Sequence, residues 1–236
     1  MRFFLISVCQ VLLFSSLFAL SANCEDKTHD PRRWEAEIKK FEAADRSGFP
    51  EPGGILFVGS SSIRLWDLPR YFPGENVINR GFGGSHTEDS LYYVDRIVLP
   101  YKPRIIVLYA GDNDIAAGKS PARVERDFVQ FAQAVRKGLP EAHLVYVAIK
   151  PSIRRWSLAT KMNEANGRIA KACLSREHLH FLDIYKPMLG EDGHPQANLF
   201  VKDGLHLNAQ GYELWTRILK PLLSEIRGSR SQDVTR

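Results

Sequence analysis

Cysteine is scarce in this chain, with only Cys9, Cys24 and Cys173 among 236 residues. Two of the three lie in the first 24 residues, which we expect to be removed. A single thiol then remains, so no intramolecular disulfide can form in the mature domain. Cys173 lies in an amphipathic helical stretch, where we expect it to pack as a small core residue and not to act as a nucleophile.

Several other sequence features that mark particular protein classes are missing. The chain has no low-complexity tract and no repeat of fixed period. Its net charge of +5 is modest, and the basic residues are spread out without interleaved aromatic residues, which argues against a nucleic-acid partner. His178 and His180 have no third ligand at a familiar spacing, so we expect no metal. No cofactor is expected either, and the sequence leaves the oligomeric state open.

The one long apolar run lies at the N-terminus, where Arg2 precedes an apolar stretch from Phe3 to Leu20. Small residues and Cys24 follow, and charged residues begin at Glu25. This order is typical of a secretory signal peptide, which we expect over residues 1–24. The run is short for a membrane span of about 20 residues, which weighs against a retained anchor. We therefore expect a secreted or periplasmic protein without stable membrane insertion after cleavage.

The rest of the chain alternates between short apolar runs and helical stretches. The runs are rich in β-branched residues and nearly continuous in apolar character, as in parallel strands covered on both faces. The predicted strands are Ile55–Val58, Val77–Ile78, Ile105–Tyr109, Leu144–Ile149 and Phe181–Ile184. The predicted helices are Trp34–Ala44, Thr87–Val98, Pro121–Lys137, Leu158–Leu174 and Ala209 to about Ile226.

This alternation predicts an α/β fold, a three-layer α/β/α sandwich around a five-stranded parallel sheet. We expect one domain over residues 53–227. A polar segment and a helix precede it over residues 25–52, and a disordered polar tail follows over residues 228–236. Ser120 before Pro121 is a good helix start, and Asn208 is expected to cap the last helix.

Unusual residues follow the ends of the predicted strands. Gly59-Ser60-Ser61-Ser62 follows the first strand, Gly81-Phe82-Gly83-Gly84 the second and Gly111-Asp112-Asn113-Asp114 the third, and Asp203-Gly204-Leu205-His206 precedes the last helix. Each motif by itself is weak, because serines cap helices and glycines serve turns. In a parallel sheet, however, the carboxyl ends of the strands meet at one edge, where ligands bind. The order of the motifs is therefore informative.

In that order the four motifs resemble the blocks of the SGNH (GDSL-like) hydrolase family. Gly59-Ser60-Ser61-Ser62 is similar to the family's Gly-Asp-Ser block, Gly83-Gly84 to its glycine block, Gly111-Asp112-Asn113 to its Gly-x-Asn block, and Asp203 to His206 to its Asp-x-x-His block. The resemblance implies a flavodoxin-like SGNH hydrolase fold and a triad of Ser61, Asp203 and His206. It also implies an oxyanion hole formed by Ser61, Gly84 and Asn113.

The residue types suit that chemistry. Serine becomes nucleophilic when a base takes its proton, and the ordinary pKa of histidine near 6.5 fits that role. Histidine in turn needs a partner that fixes its tautomer, and Asp203 is the carboxylate nearest to His206 in sequence. Two backbone N–H groups and one side-chain amide would supply three donors for the developing oxyanion, each commonly worth about 2.7–4 kcal/mol.

The chain departs from the family pattern at one position, since Ser60 stands where the family has an aspartate before the nucleophile. The departure indicates a distinct Gly-Ser-Ser-Ser subgroup, similar to esterases of the platelet-activating-factor acetylhydrolase alpha-subunit type. It also leaves Ser60, Ser61 and Ser62 as candidates for the nucleophile, with Ser61 favoured by the motif.

The resemblance implies a serine esterase, and we expect it to act on short-chain esters, with carbohydrate O-acetyl esters favoured. Two alternatives stay open: a lysophospholipase or platelet-activating-factor-like lipid esterase, and a catalytically silent carbohydrate-binding relative. A phosphate-binding α/β domain is disfavoured, because the loop after the first strand is neither Gly-x-Gly-x-x-Gly nor Walker-type.

Two further groups of residues have more than one interpretation. Asp112 and Asp114 flank Asn113 and are expected to cap or orient its loop instead of binding calcium. The basic residues and tryptophan after the fourth strand either border the substrate groove or form an exposed basic loop; they are Lys150, Arg154, Arg155 and Trp156.

Overall fold

The computed structural model of the protein describes residues 29–233, of which residues 229–233 are described by their backbone alone. The expected signal peptide, residues 1–24, lies outside the described residues. The described chain contains five strands: β1 (Ile55–Gly59), β2 (Val77–Gly81), β3 (Ile105–Tyr109), β4 (His143–Val147) and β5 (Leu179–Leu182). All neighbouring strands pair in parallel, in the order β2-β1-β3-β4-β5. The five-stranded parallel sheet that the sequence predicts is confirmed.

Within the part of the chain that the structure describes, nine α-helices accompany the strands. They are α1 (Glu35–Ser47), α2 (Ser61–Arg64), α3 (Leu68–Tyr71), α4 (Thr87–Tyr92), α5 (Val94–Ile97), α6 (Asp112–Ala116), α7 (Pro121–Gly138), α8 (Ala159–Leu174) and α9 (Ala209–Asp233). Among residues 29–233, none of them combines the length and the apolar character needed to cross a bilayer.

Two hydrophobic clusters cover the two faces of the sheet, because side chains alternate along each strand. On β1, Leu56 and Val58 join one cluster with residues of α1, α5, α7 and α8, and Ile55 and Phe57 join the other with residues of α9. On α9 the buried residues recur every three or four positions: Trp215, Leu219, Leu223 and Ile226. The result is the three-layer sandwich.

Local signals in the sequence account for several helix ends. Ser120 accepts a hydrogen bond from the Arg123 N–H at 3.2 Å, and Asn208 accepts one from the Gly211 N–H at 3.1 Å, so both predicted caps are confirmed. Cys173 is buried in the first cluster, where burial raises the pKa of its thiol to about 12. It therefore packs as a core residue, as expected.

Some boundaries differ from the expected ones. The predicted helix Thr87–Val98 is interrupted at Tyr93, and β5 begins at Leu179, two residues before the predicted Phe181. α9 continues to Asp233, beyond the predicted end near Ile226 and into the segment expected to be a disordered tail. The polar residues after Ile226 lack an apolar stripe, but they contain no proline, and extending a helix that is already formed costs far less than nucleating one.

The strand order brings the chemistry-bearing loops together. From β1 the chain passes to β2 on one side, and β3 then lies on the other side of β1. The loops after β1 and β3 therefore diverge at the carboxyl edge of the sheet, and this topological switch point is where ligands bind in open α/β sheets.

Candidate active site

Ser61 lies at the turn that ends β1. Gly59 has φ +129, and a side chain there would collide with the carbonyl oxygen of Tyr109 on the neighbouring strand. Glycine therefore allows β1 to approach β3 closely before the chain turns. Ser61 is the first residue of α2 and half-buried, whereas the side chains of Ser60 and Ser62 are buried. Of these three serines, Ser61 is the one whose hydroxyl lies within hydrogen-bond distance of His206.

His206 links Ser61 to Asp203. The Oγ of Ser61 lies 3.1 Å from Nε2 of His206, and Nδ1 of His206 lies 2.6 Å from Oδ2 of Asp203. With the imidazole proton on Nδ1, facing the carboxylate, Nε2 is left as the acceptor for the serine proton. The structure thus brings together the three residues that the resemblance implies.

A tight turn holds Asp203 in this position. Its Oδ1 accepts hydrogen bonds from the N–H groups of Leu205 and His206 at 2.8 and 2.9 Å. Partial burial raises the pKa of Asp203, but the hydrogen bonds from the His206 side chain and from these two N–H groups outweigh it and lower that pKa to about 2. The carboxylate is therefore ionised at neutral pH and able to orient the imidazole.

The three expected oxyanion donors lie at the carboxyl ends of β1, β2 and β3. The Ser61 N–H is in the first turn of α2, where backbone N–H groups have no intrahelical acceptor. Gly84 has φ +78, and a Cβ there would lie 3.4 Å from the ring of Trp34. Asn113, in α6, is half-buried. The structure thus places the three expected donors on the loops that follow neighbouring strands.

The Asn113 amide is held at both ends. Its Nδ2 donates to the carbonyl oxygen of Ser85 at 3.0 Å, and its Oδ1 accepts from Nη2 of Arg155 at 2.9 Å. Since an amide nitrogen carries two hydrogens, one remains for a ligand. The contact between Arg155 and Asn113 could not be anticipated from the sequence, because the two residues are 42 positions apart.

Asp112 and Asp114 orient the loop around Asn113, as expected. Asp112 lies between Lys150 Nζ at 3.1 Å and Arg155 Nη1 at 3.0 Å. Burial raises the pKa of the Asp112 carboxyl, but the two cations outweigh it and hold that pKa below its usual value. Both oxygens of Asp114 accept the Thr87 N–H at 3.1 Å.

The segment after β4 is only in part an exposed basic loop. Arg154 is exposed, but Lys150 is 1% exposed and Arg155 is half-buried. The exposed-loop interpretation is therefore wrong for Lys150 and Arg155, whose positive charges are held by Asp112. A sequence pattern alone does not reveal this pairing, because the carboxylate lies on a different strand end.

Two clusters of histidines among the described residues contain possible metal ligands. His178 and His180 meet a third histidine, His143, but Nδ1 of His143 faces His180 at 2.9 Å while its Nε2 faces His178 at 3.3 Å. The donor atoms of this cluster therefore point at one another and not at a common centre. The cluster lies at the amino ends of β4 and β5, at the opposite edge from Ser61.

The second cluster consists of His29, His86 and Glu88. The two imidazole rings stack 3.9 Å apart with an interplanar angle of 11°, so their in-plane lone pairs lie in two nearly parallel planes and do not converge on one ion. The ammonium of Lys119 also lies 2.8 Å from Glu88 Oε1. This geometry does not fit a tetrahedral metal site.

Most of the candidate site lies in a region that matches a known protein family. The GDSL-like Lipase/Acylhydrolase family model matches residues 64–214, which include Gly84, Asn113, Asp203 and His206 and begin three residues after Ser61. No curated protein matches the chain in sequence.

Solved structures share the fold at low sequence identity. One from Streptococcus pneumonia, described as a candidate platelet activating factor, is 22% identical, with a TM-score of 0.74 over 81% of this chain and 93% of that one. A GDSL-like lipase from Bacteroides thetaiotaomicron is 19% identical, with a TM-score of 0.71 over 80% and 98%. A carbohydrate esterase family 3 protein from Talaromyces cellulolyticus is 16% identical, with a TM-score of 0.60 over 75% and 99%. The family match covers more than half of the chain, and the protein therefore belongs to the GDSL-like lipase/acylhydrolase family and is a carboxylic ester hydrolase.

Proposed function

We propose that the protein is a serine esterase in which Ser61, His206 and Asp203 form the catalytic triad. The observation that carries this proposal is the continuous chain of contacts from Ser61 Oγ to His206 Nε2 at 3.1 Å and from His206 Nδ1 to Asp203 Oδ2 at 2.6 Å. A nucleophile, a base within hydrogen-bond reach of it and a third group that orients the base are the parts that acyl transfer requires.

The reaction proceeds in two halves. His206 Nε2 takes the proton of Ser61 as Oγ attacks the ester carbonyl carbon, and the same proton then passes to the leaving alcohol as the acyl-enzyme forms. A water molecule repeats the sequence: His206 takes its proton, its oxygen attacks the acyl carbon, and Ser61 recovers a proton as the acid leaves. Asp203 stays ionised throughout and stabilises the imidazolium.

The oxyanion of each half-reaction is held by three donors in this proposal: the N–H groups of Ser61 and Gly84 and the free Nδ2 hydrogen of Asn113. These donors act on charge that develops only in the transition state, so they lower the barrier without tightening substrate binding. The anchoring of the Asn113 amide at both ends supports the assignment, because a fixed donor needs no reorganisation during the reaction.

The preferred acyl group is short. Residues 186–202 lie in the connection between β5 and α9, and their polar members Glu191, Asp192 and His194 face solvent. Their apolar members Met188 and Leu199 are buried in the second core cluster instead of lining a tunnel. A shallow groove buries one or two methylenes, each worth about 0.8 kcal/mol, so longer chains gain nothing.

A carbohydrate leaving group is favoured by the surroundings of the site. The half-buried ring of Trp156 lies 5.3 Å from the exposed ring of His194, measured between centroids. Trp156 directly follows Arg155, whose guanidinium contacts Asn113. Aromatic side chains with a few polar groups are typical walls of small-molecule sites, and the apolar face of a sugar ring stacks on such rings. The structural neighbour from Talaromyces cellulolyticus is itself a carbohydrate esterase.

We also propose that the protein is exported. The proposal is based on positions 1–24, where a charged residue, an apolar run and small residues follow one another as in a secretory signal peptide.

A panel of p-nitrophenyl esters tests the proposal. We expect kcat/KM to be highest with acetate or butyrate and to fall by octanoate, and Ser61→Ala to remove the activity on every ester while the protein stays folded. Activity on acetylated oligosaccharides is expected as well. A maximum at octanoate or beyond would favour a lipid ester instead. Binding of oligosaccharides without hydrolysis of any ester would indicate a catalytically silent relative.

A further inference from the structure

The segment that follows β4 contacts both halves of the candidate site. The Arg154 N–H donates to the carbonyl oxygen of Gly204 at 3.0 Å, inside the turn that carries Asp203 and His206. The next residue, Arg155, donates to Oδ1 of Asn113 at 2.9 Å. Two consecutive residues thus connect the turn of the base to the loop of the oxyanion donor.

Arg155 fixes which way the Asn113 amide faces. Its guanidinium can only donate hydrogen bonds, and the carbonyl oxygen of Ser85 can only accept them. Oδ1 of Asn113 must therefore face Arg155, and Nδ2 must face Ser85, as observed. A flipped amide would place N–H against guanidinium and oxygen against oxygen, which loses both hydrogen bonds.

The guanidinium is itself held in place by charge. Nη1 of Arg155 lies 3.0 Å from Oδ2 of Asp112, the residue before Asn113. Lys150 lies 3.1 Å from the same oxygen and 3.0 Å from the hydroxyl of Tyr109 on β3. Asp112 thus offsets the charge of Arg155, and the planar fork of the guanidinium spans Asp112 and Asn113 with two different nitrogens.

We propose that Arg155 is a positioning residue for ester hydrolysis, one that acts by locking the Asn113 amide with a hydrogen directed at the oxyanion. The inference rests on the proposed function. It assigns a role to a residue whose sequence context suggested only a loop or a groove border. Arg155 need not touch the substrate in this role, because its effect passes through Asn113.

A double-mutant cycle tests this role. In the wild-type background, Arg155→Met should lower kcat on p-nitrophenyl acetate about 10²-fold with KM nearly unchanged, since small misplacements of catalytic groups cost about that much. In the Asn113→Ala background, the same change should lower kcat less than twofold further. Arg155→Lys should lower kcat less than Arg155→Met does, because its ammonium can still donate to one acceptor. It should not reach the wild-type kcat, because one ammonium cannot span both Asp112 and Asn113 as the guanidinium fork does. Arg126→Ala, an exposed arginine on α7, is the control for the loss of one positive charge.

Melting temperatures show whether each variant is folded, and if Arg155→Met does not fold, the cycle is run with Arg155→Lys. Equal losses of kcat in the wild-type and Asn113→Ala backgrounds would overturn the inference, because Arg155 would then act independently of Asn113. A change confined to KM would also overturn it and indicate a substrate contact. Either result with an active wild type leaves the proposed function intact, whereas a wild type without esterase activity overturns both.

Discussion

The sharpest consequence of the geometry concerns Asp203→Asn. In the wild type, Oδ1 of Asp203 accepts two backbone N–H groups at 2.8 and 2.9 Å, while Oδ2 faces Nδ1 of His206 at 2.6 Å. An asparagine keeps its carbonyl oxygen on the two N–H donors, so its NH₂ group takes the position of Oδ2. That group can only donate, and Nδ1 of His206 must then accept.

The proton of the imidazole consequently moves to Nε2, which can no longer accept the proton of Ser61. The turn keeps its two backbone hydrogen bonds, so the melting temperature should change little. Loss of tautomer control costs about 10⁴ in kcat, and four factors of ten correspond to about 5 kcal/mol of activation free energy.

The assay is kcat/KM on p-nitrophenyl acetate, with melting temperatures measured in parallel. Asp192→Asn is the matched control, because Asp192 also accepts a backbone N–H, from His194 at 2.9 Å, and it should retain full activity. If Asp203→Asn kept activity within tenfold of the wild type, His206 would not depend on Asp203 for its tautomer, and the reasoning would be refuted.

Two further predictions concern the surroundings of the triad. Trp156→Ala should raise KM for acetylated oligosaccharides several-fold and leave kcat/KM on p-nitrophenyl acetate unchanged; an equal effect on both substrates would show that Trp156 supports the site and does not bind sugar. Burial raises the pKa of Asp114 to about 6 despite the nearby Lys119. The protonated carboxyl therefore contributes stability that is present below the unfolded-state pKa near 3.8 and is lost as the pH rises through about 6. Urea unfolding should therefore show that the free energy of unfolding of the wild type, relative to that of Asp114→Asn, is larger at pH 4 than at pH 7. If the difference between the two free energies does not change with pH, the raised pKa of Asp114 is contradicted.

Much of the framework follows from local sequence signals. Apolar runs such as Ile105–Tyr109 predict buried parallel strands, and parallel strands bring Ser61, Gly84 and Asn113 to one edge of the sheet. The three-residue separation of Asp203 and His206 makes their contact a local one, which explains why it could be anticipated before the fold was known.

Contacts between distant loops could not be anticipated in the same way. Arg155 and Asn113 are 42 residues apart, and their pairing depends on how the loops after β3 and β4 pack. The sequence also left three adjacent serines as candidates. What distinguishes them is burial, since Ser60 and Ser62 turn inward while Ser61 remains accessible to His206. The start of β5 was misplaced because the polar His180 separates Leu179 from the apolar run that begins at Phe181.

The site at which a fluorophosphonate reacts shows directly which serine is the nucleophile. Intact mass and peptide mapping of the wild-type protein should show one adduct per chain, on Ser61, and no adduct in Ser61→Ala. An adduct on Ser60 or Ser62, or ester hydrolysis that persists in Ser61→Ala, would contradict the central claim that Ser61, activated by His206, is the nucleophile.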